Sequence, residues 1–336
     1  MRRLWVVAKF LGALILVFLM LVWPGEALFS AQRAMRVWAY SVGPSLFPFL
    51  ALLPSLTCPA ARRAYERVLG GIMRPLFKLP GSAAASVFTG MLAGSPAGAL
   101  ASARVGGGMR RGEFKRMALM TTGASPVYLM SGVGVALFGS PEFGLWLIIG
   151  QAVAQILTGF ALRNCFSGET EIVPQADQGE AEKPVRTAVL NILQVCGYMV
   201  MFSVGAGLLA RLAGEDAGRA LLYVLDMPSG AAEAAEVGAH WAVVGAITGF
   251  CGLCIAAQNM AILKPLGLRW REYIAARAFA AAVSAGIVAA RFELPGAAAP
   301  AMATAGGVPA MELSTLAALL LLMPVLFALA RKKPNS

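Results

Sequence analysis

Histidine occurs once in the 336 residues, as His240, and cysteine five times. Three of those cysteines (Cys196, Cys251, Cys254) lie inside apolar runs, which argues against a disulfide framework or a zinc cluster. Charge is equally scarce. Only 13% of the residues are Asp, Glu, Lys or Arg, about half the share of a soluble domain. No Walker A loop is present, which argues against ATP-driven movement by this chain alone. No Ser/His/Asp or HExxH arrangement is present either, so the expectation is a protein that is not an enzyme, with no cofactor and no metal. What the chain does have is apolar length: 58% of residues are hydrophobic and the mean hydropathy is +0.71. Disorder, a collagen-like fibre and a small secreted scaffold are excluded by these figures, and a polytopic membrane protein remains.

Eight stretches reach the roughly 20 apolar residues that a membrane-crossing helix needs. They are residues 4–22, 37–57, 117–138, 143–162, 187–210, 240–262, 273–291 and 313–330. Lys plus Arg number 28 against 17 acidic residues, a net charge of +11. With the N-terminus inside, 22 of the basic residues fall on the inner segments and five on the outer ones. The positive-inside rule then places both termini in the cytoplasm of a multi-pass cell-membrane protein, and no nucleic-acid partner is needed to explain the charge. The polar stretch 163–186 reads as a cytoplasmic linker between two halves.

Two further apolar segments fit this topology only if they enter the membrane without crossing. Leu79 to Ser102 is broken at its middle by Gly94, Ser95, Pro96 and Gly98, and both its flanks are basic. Ala220 to Ala232 is broken by Asp226, Pro228, Ser229 and Gly230. Each reads as a re-entrant helical hairpin, the first opening inward and the second outward. Non-helical backbone at membrane depth survives only where protein buries it or where it lines a cavity, so the breaks point to a pathway. The order becomes helix, hairpin, helix, helix over 37–162, and the same with opposite orientation over 187–291. Pro96 to Pro126 and Pro228 to Gln258 are both 30 residues apart, as inverted repeats would have it. Residues 1–36 then form an N-terminal anchor helix, and 292–336 a C-terminal helix with a basic tail. The fold class is all-α integral membrane, with about eight transmembrane helices plus two re-entrant hairpins in inverted-topology repeats.

Several stretches carry a resemblance: YSVGPSLFPFLALLPSL (40–56), LPGSAAASVFTGMLAGSPAGA (79–99), TTGASPVYLMSGVGVALFG (121–139), CGYMVMFSVGAGLL (196–209), LLYVLDMPSGA (221–231) and GFCGLCIAAQNM (249–260). Together, over about residues 37–290, they resemble the nucleoside recognition, or Gate, domain family. Within it they look like the sporulation integral membrane proteins implicated in moving dipicolinic acid into the developing spore. The family usually carries Glu where Asp226 stands, and its architecture is similar to that of concentrative nucleoside transporters. The resemblance implies a transporter of a small anionic solute such as dipicolinate, in the cell or forespore membrane, with its site between two hairpin tips and two broken helices. A nucleoside or other small-solute transporter, and a non-transporting scaffold of spore formation, stay open as alternatives. So do a coupling ion and a homo-oligomer.

Each candidate site group has a plainer reading beside it. Gly94, Ser95 and Pro96 offer half-helix N–H groups to a carboxylate, or simply allow close packing. Asp226, Ser229 and Gly230 form the outer tip, where an intramembrane acid signals ion or proton coupling unless it is a solvated cap. Ser125, Pro126 and Tyr128 pair by symmetry with Gln258 and Asn259 to bond a ring nitrogen or carboxylate, or glue helices together. Arg277 neutralises an anion or snorkels to the interface. Cys251 and Cys254 spell C-x-x-C without the context of a redox or metal motif. Asn191, Gln151, Gln155 and Gln194 read as packing contacts.

Overall fold

The structure, a computed structural model, describes residues 2–175 and 183–292. Among the described residues the regular structure is all helical, with a single isolated bridge between Arg110 and Ile172. The helices are α1 (Arg2–Val22), α2 (Pro24–Val37), α3 (Gly43–Leu56), α4 (Pro59–Phe77), α5 (Ala84–Ala93), α6 (Ala97–Val105), α7 (Arg111–Thr121), α8 (Pro141–Ala161), α9 (Pro184–Ala213), α10 (Glu215–Leu225), α11 (Met227–Glu236), α12 (Trp241–Phe250), α13 (Gly252–Leu263) and α14 (Trp270–Phe292). Proline opens α2, α4, α8 and α9, where its missing N–H is one the first turn would leave unbonded anyway.

Five helical stretches are long and apolar enough to cross a membrane: Pro24–Leu56, Pro141–Asn164, Pro184–Ala213, Trp241–Leu263 and Trp270–Phe292. A sixth is added if α4 and the following Gly81–Ala93, bent by 109°, count together. This is fewer than the eight expected, for identifiable reasons. The stretch expected at 117–138 is interrupted, since the chain is non-helical from Thr122 to Ser125 before a π-wound segment at Tyr128–Leu137. Within the first expected span, Phe10–Val22 counts as a shorter apolar helix. The last, at 313–330, lies outside the described residues, as do the C-terminal basic tail and much of the acidic part of the linker. The span expected from residue 37 begins instead at Pro24, so α2 and α3 run on through the boundary drawn between anchor and first repeat. They join through a π turn at Trp38–Val42, just before Pro44, which has no N–H to return to the preceding turn. Large apolar side chains such as Phe18 and Leu21 stand 63% and 75% exposed, the exterior expected of a protein whose solvent is lipid.

A group of basic residues gathers around α4, α7 and the start of the linker. Arg62 reaches the carbonyls of Thr57 and Arg104, and Arg116 those of Lys78 and Cys165. Lys115, fully buried, bonds Glu169 at 2.8 Å and Glu272 at 3.0 Å, and Arg269 closes the network on both acids. Burial pushes the Glu169 carboxyl up, but Lys115 and Arg269 outweigh it and hold the group below the ordinary glutamate value. The pairing is therefore complete above the ordinary value and lost as pH falls through the lowered one. The first part of the 163–186 linker is thus docked: Val173 is buried, and its N–H and carbonyl bond Met109 and Gly108. Elsewhere Phe138, Phe143, Trp241 and Phe292 pack ring against ring, and Arg291 pairs with Glu142.

Two helical hairpins and two broken helices meet in the middle. Gly98 lets α6 lie against Gly90 of α5, and Gly230 lets α11 lie against Leu222 and Tyr223 of α10. The turn of the first hairpin is Gly94 (φ 68°), Ser95 and Pro96. The turn of the second is Asp226, extended at φ −137°, followed by Pro228 within the first turn of α11. The α12 to α13 break is Cys251 (φ 69°) and Gly252 (φ 73°). A side chain on Gly94 would come within 2.4 Å of Ser125 N, and one on Gly252 within 2.8 Å of Met227 N. Each hairpin tip is therefore seated on the break of a helix from its own half of the chain. Ala93, Ala97, Ala124, Met227, Cys251 and Cys254 share one apolar core.

Candidate functional site

A helix that breaks leaves carbonyls without their usual donor, and where those carbonyls turn shows how the centre is assembled. The donor that Thr122 would receive is the N–H of residue 126, which is proline and has none. The Arg277 guanidinium of α14 takes that carbonyl instead. The Gly123 carbonyl accepts the Ser95 N–H at 2.8 Å, pinning the first tip to the first break. At the second break the Cys251 thiol donates to the Thr248 carbonyl at 3.1 Å. The Ala124 N–H points at that same sulfur, so the two breaks touch.

Between the tips lies a cavity of about 40 Å3. It is lined by Ser95 from the first tip, Ala124, Ser125 and Tyr128 from the first break, Asp226, Met227 and Pro228 from the second tip, and Cys254, Ile255 and Gln258 from α13. Val42, Ser45 and Leu46 at the start of α3, and Val195 and Met199 of α9, complete the wall. The volume holds roughly three water molecules, whereas about 150 Å3 is needed for a single benzene ring. A larger solute would occupy it only if the tips part.

Asp226 is 1% exposed. It caps α11, its Oδ2 accepting the Ser229 N–H at 3.2 Å and the Ser229 hydroxyl at 2.5 Å. It is therefore a cap, but a buried one rather than a solvated one. The Cys254 thiol faces this carboxyl, but no group stands in hydrogen-bonding geometry to its Oδ1, nor to the Ser125 hydroxyl. The Ser95 hydroxyl oxygen accepts the Asn259 amide at 2.9 Å, which leaves its own proton free for the cavity. The Gln258 amide donates to the Cys254 sulfur at 3.4 Å. The arrangement offers hydroxyls, an amide and a carboxyl to a bound solute; among the described residues no Lys or Arg lines it.

Of the sequence candidates, Ser95, Ser125, Tyr128, Asp226 and Gln258 come together around the cavity. Gly94 and Pro96 build the first tip and Pro126 the first break without lining it. Gly230 packs on α10, and Ser229 stands behind Asp226. Asn259 also lies behind the wall, joining Ser95 to the Tyr273 hydroxyl at 2.7 Å. Two expectations need correcting. The tip N–H groups are largely used inside the protein, Ser95 by Gly123, Gly98 by Gly94, and Ser229 and Gly230 by Asp226, so the available donors are side chains. Arg277 is 2% exposed, so it does not snorkel, and it is not in the cavity wall, so it does not face a solute there. Its role is to satisfy the carbonyl that Pro126 orphans. Ser45, Met199 and Cys254 were missed. The helical periodicity of Cys254 with Gln258, one turn apart on α13, was the available signal for the last of these.

A sporulation integral membrane protein of Bacillus subtilis (strain 168), YlbJ, is 26% identical to this chain over 304 residues, covering 75% of this chain and 74% of that protein. No family model matches the chain, and no solved structure does. Along most of its length, then, the chain is similar to a sporulation integral membrane protein, and its own helices are those of a multi-pass membrane protein.

Proposed function

We propose that this protein is a membrane transporter, and not an enzyme, that moves a small anionic solute through the cavity between the two hairpin tips, with dipicolinic acid during sporulation as the candidate solute. In this reading both termini are cytoplasmic, the hairpins are re-entrant, and residues 37–162 and 187–291 are inverted repeats that part alternately on either side of a midplane site. The observation that carries it is the pair of buried, unpartnered polar atoms, Asp226 Oδ1 and Ser125 Oγ, in the wall of one cavity where both tips and both breaks converge. Buried polar atoms without a partner cost about 1 to 3 kcal/mol each, and a bound solute that pairs with them offsets that cost. The similarity to a sporulation membrane protein supports the setting. The carboxylates of a planar dianion would take hydrogen bonds from the hydroxyls of Ser95, Ser125 and Tyr128 and from the Gln258 amide.

The test is uptake of labelled dipicolinate into proteoliposomes containing the purified full chain. Saturable uptake that excess uridine leaves unchanged is the expected result. Competition by uridine would move the reading to a nucleoside carrier. Absence of flux of either solute, under several ion gradients and with protein shown to be folded, would refute it.

A further inference from the structure

On the far side of the second hairpin tip lies a second, larger cavity, of about 270 Å3. It is formed between α2, α9 and the second hairpin, and Glu26, Arg33, Arg211 and Glu233 give it charged walls. Ser229 lines this antechamber, and its hydroxyl is the one that donates to Asp226 Oδ2 at 2.5 Å. Asp226 in turn lines the central cavity with its unpartnered Oδ1. One hydroxyl and one carboxyl, hydrogen-bonded to each other, thus stand between the two cavities.

Their placement matters because of charge. The groups that face Asp226 from the elements packed on it are the Cys254 thiol of α13, the Tyr128 hydroxyl of the π-wound segment and, across the tip, Arg33 of α2. Arg33 is already paired with Glu236 at 3.5 Å. On the antechamber side stand Glu26, Glu233 and Arg211. No cation lines the central cavity among the described residues, and Arg277 is spent on Thr122. An anion placed there meets the carboxyl of Asp226 directly, and two negative charges in a water-poor space repel strongly. A protonated Asp226 removes the repulsion.

We infer that Asp226 is the proton-loading group of this carrier, fed through the Ser229 hydroxyl from the antechamber, so that each anion crosses with one proton. Water in the antechamber gives a proton to the Ser229 oxygen as the Ser229 hydroxyl proton passes to the Asp226 carboxylate. Asp226 goes from charge −1 to neutral, Ser229 ends as it began, and the water is left one proton poorer. Release of the anion reverses the transfer. The inference rests on the transport reading above and adds to it what is co-transported and by which residue.

The experiment is dipicolinate binding by the purified full chain between about pH 6.5 and 9, above the carboxylate range of about 4, so that the ligand's own ionisation is constant. A pH-indicator dye in weak buffer records proton uptake. For the wild type, affinity is expected to fall tenfold per pH unit toward the alkaline end, with proton uptake rising to one per ligand bound. Asp226→Asn, a neutral stand-in for the protonated acid, is expected to bind with a flat pH profile and no proton uptake. Asp226→Glu is expected to restore the slope, and Cys254→Ser to leave it intact. Ser229→Ala is expected to keep the equilibrium slope while slowing flux driven by a pH gradient. Wild-type binding without proton uptake across the range, or an unaltered slope in Asp226→Asn, would overturn the coupling and leave the transport reading standing. No binding of dipicolinate by the wild type would overturn that reading, and the coupling with it.

Discussion

At the scale of single residues the centre is defined by what each polar side chain has left over. Ser95 and Ser125 are both buried serines in one cavity wall, yet they are not equivalent. Ser95 accepts from Asn259, whereas Ser125 has no protein partner. Ser125→Ala should therefore leave the solute-free protein as stable as before or up to about 1 kcal/mol more so, because it removes an unsatisfied hydroxyl. It should also weaken dipicolinate uptake by about ten- to a hundredfold in half-saturating concentration, the loss of one hydrogen bond to a charged group at about 1.5 to 3 kcal/mol. Thermal unfolding and initial uptake rates on the same variant separate these opposite effects. A Ser125 variant that loses stability and keeps its uptake would place this serine in packing alone. Asp226 was legible in the sequence as an acid out of place. That it caps α11 and still keeps one oxygen unpartnered was not, because a capping motif reads the same whether water or protein surrounds it.

At the scale of elements, the breaks were legible and their partners were not. Gly94-Ser95-Pro96, Ser125-Pro126 and Asp226-Met227-Pro228 announce themselves as places where a helix cannot continue. Which carbonyl each proline orphans follows from counting back four residues, but nothing local says that Arg277, 155 positions away, answers Thr122. The amphipathic α4 escaped notice because its run of arginines reads as a topology signal before it reads as a helix face. The seating of each tip on its break carries a prediction. Gly94→Ala puts a side chain at φ 68°, within 2.4 Å of the Ser125 backbone nitrogen. The conformation alone costs about 1 to 2 kcal/mol, and the close approach adds to it, so the variant should unfold at lower temperature and lose uptake. Gly205→Ala is the control: a side chain there, inside α9, meets nothing within 4 Å, and the change should stabilise by about 0.5 to 1 kcal/mol.

At the scale of the whole molecule, the all-helical, multi-pass character was readable from hydropathy, although five or six helical stretches long and apolar enough to cross stand where eight were expected. The docking of the linker was not, since residues 163–175 are polar by composition and are held by Lys115 of α7 and by Arg269, which lie far away in sequence. In the proposed transport reading the hairpin tips are the jaws of a clamp on a cavity of about 40 Å3, which would widen to admit an aromatic solute. Cys254 reports on that clamp without any substitution: it lines the cavity at 1% exposure, and the transport reading has it become more reachable as the tips part. The most direct measurement is the rate at which a small thiol reagent modifies Cys254 in membranes, mapped by mass spectrometry, with exposed Cys165 as internal reference. The account predicts that dipicolinate slows modification of Cys254, at concentrations near those that half-saturate uptake, and leaves Cys165 unchanged. Equal rates at Cys254 with and without saturating dipicolinate would contradict it.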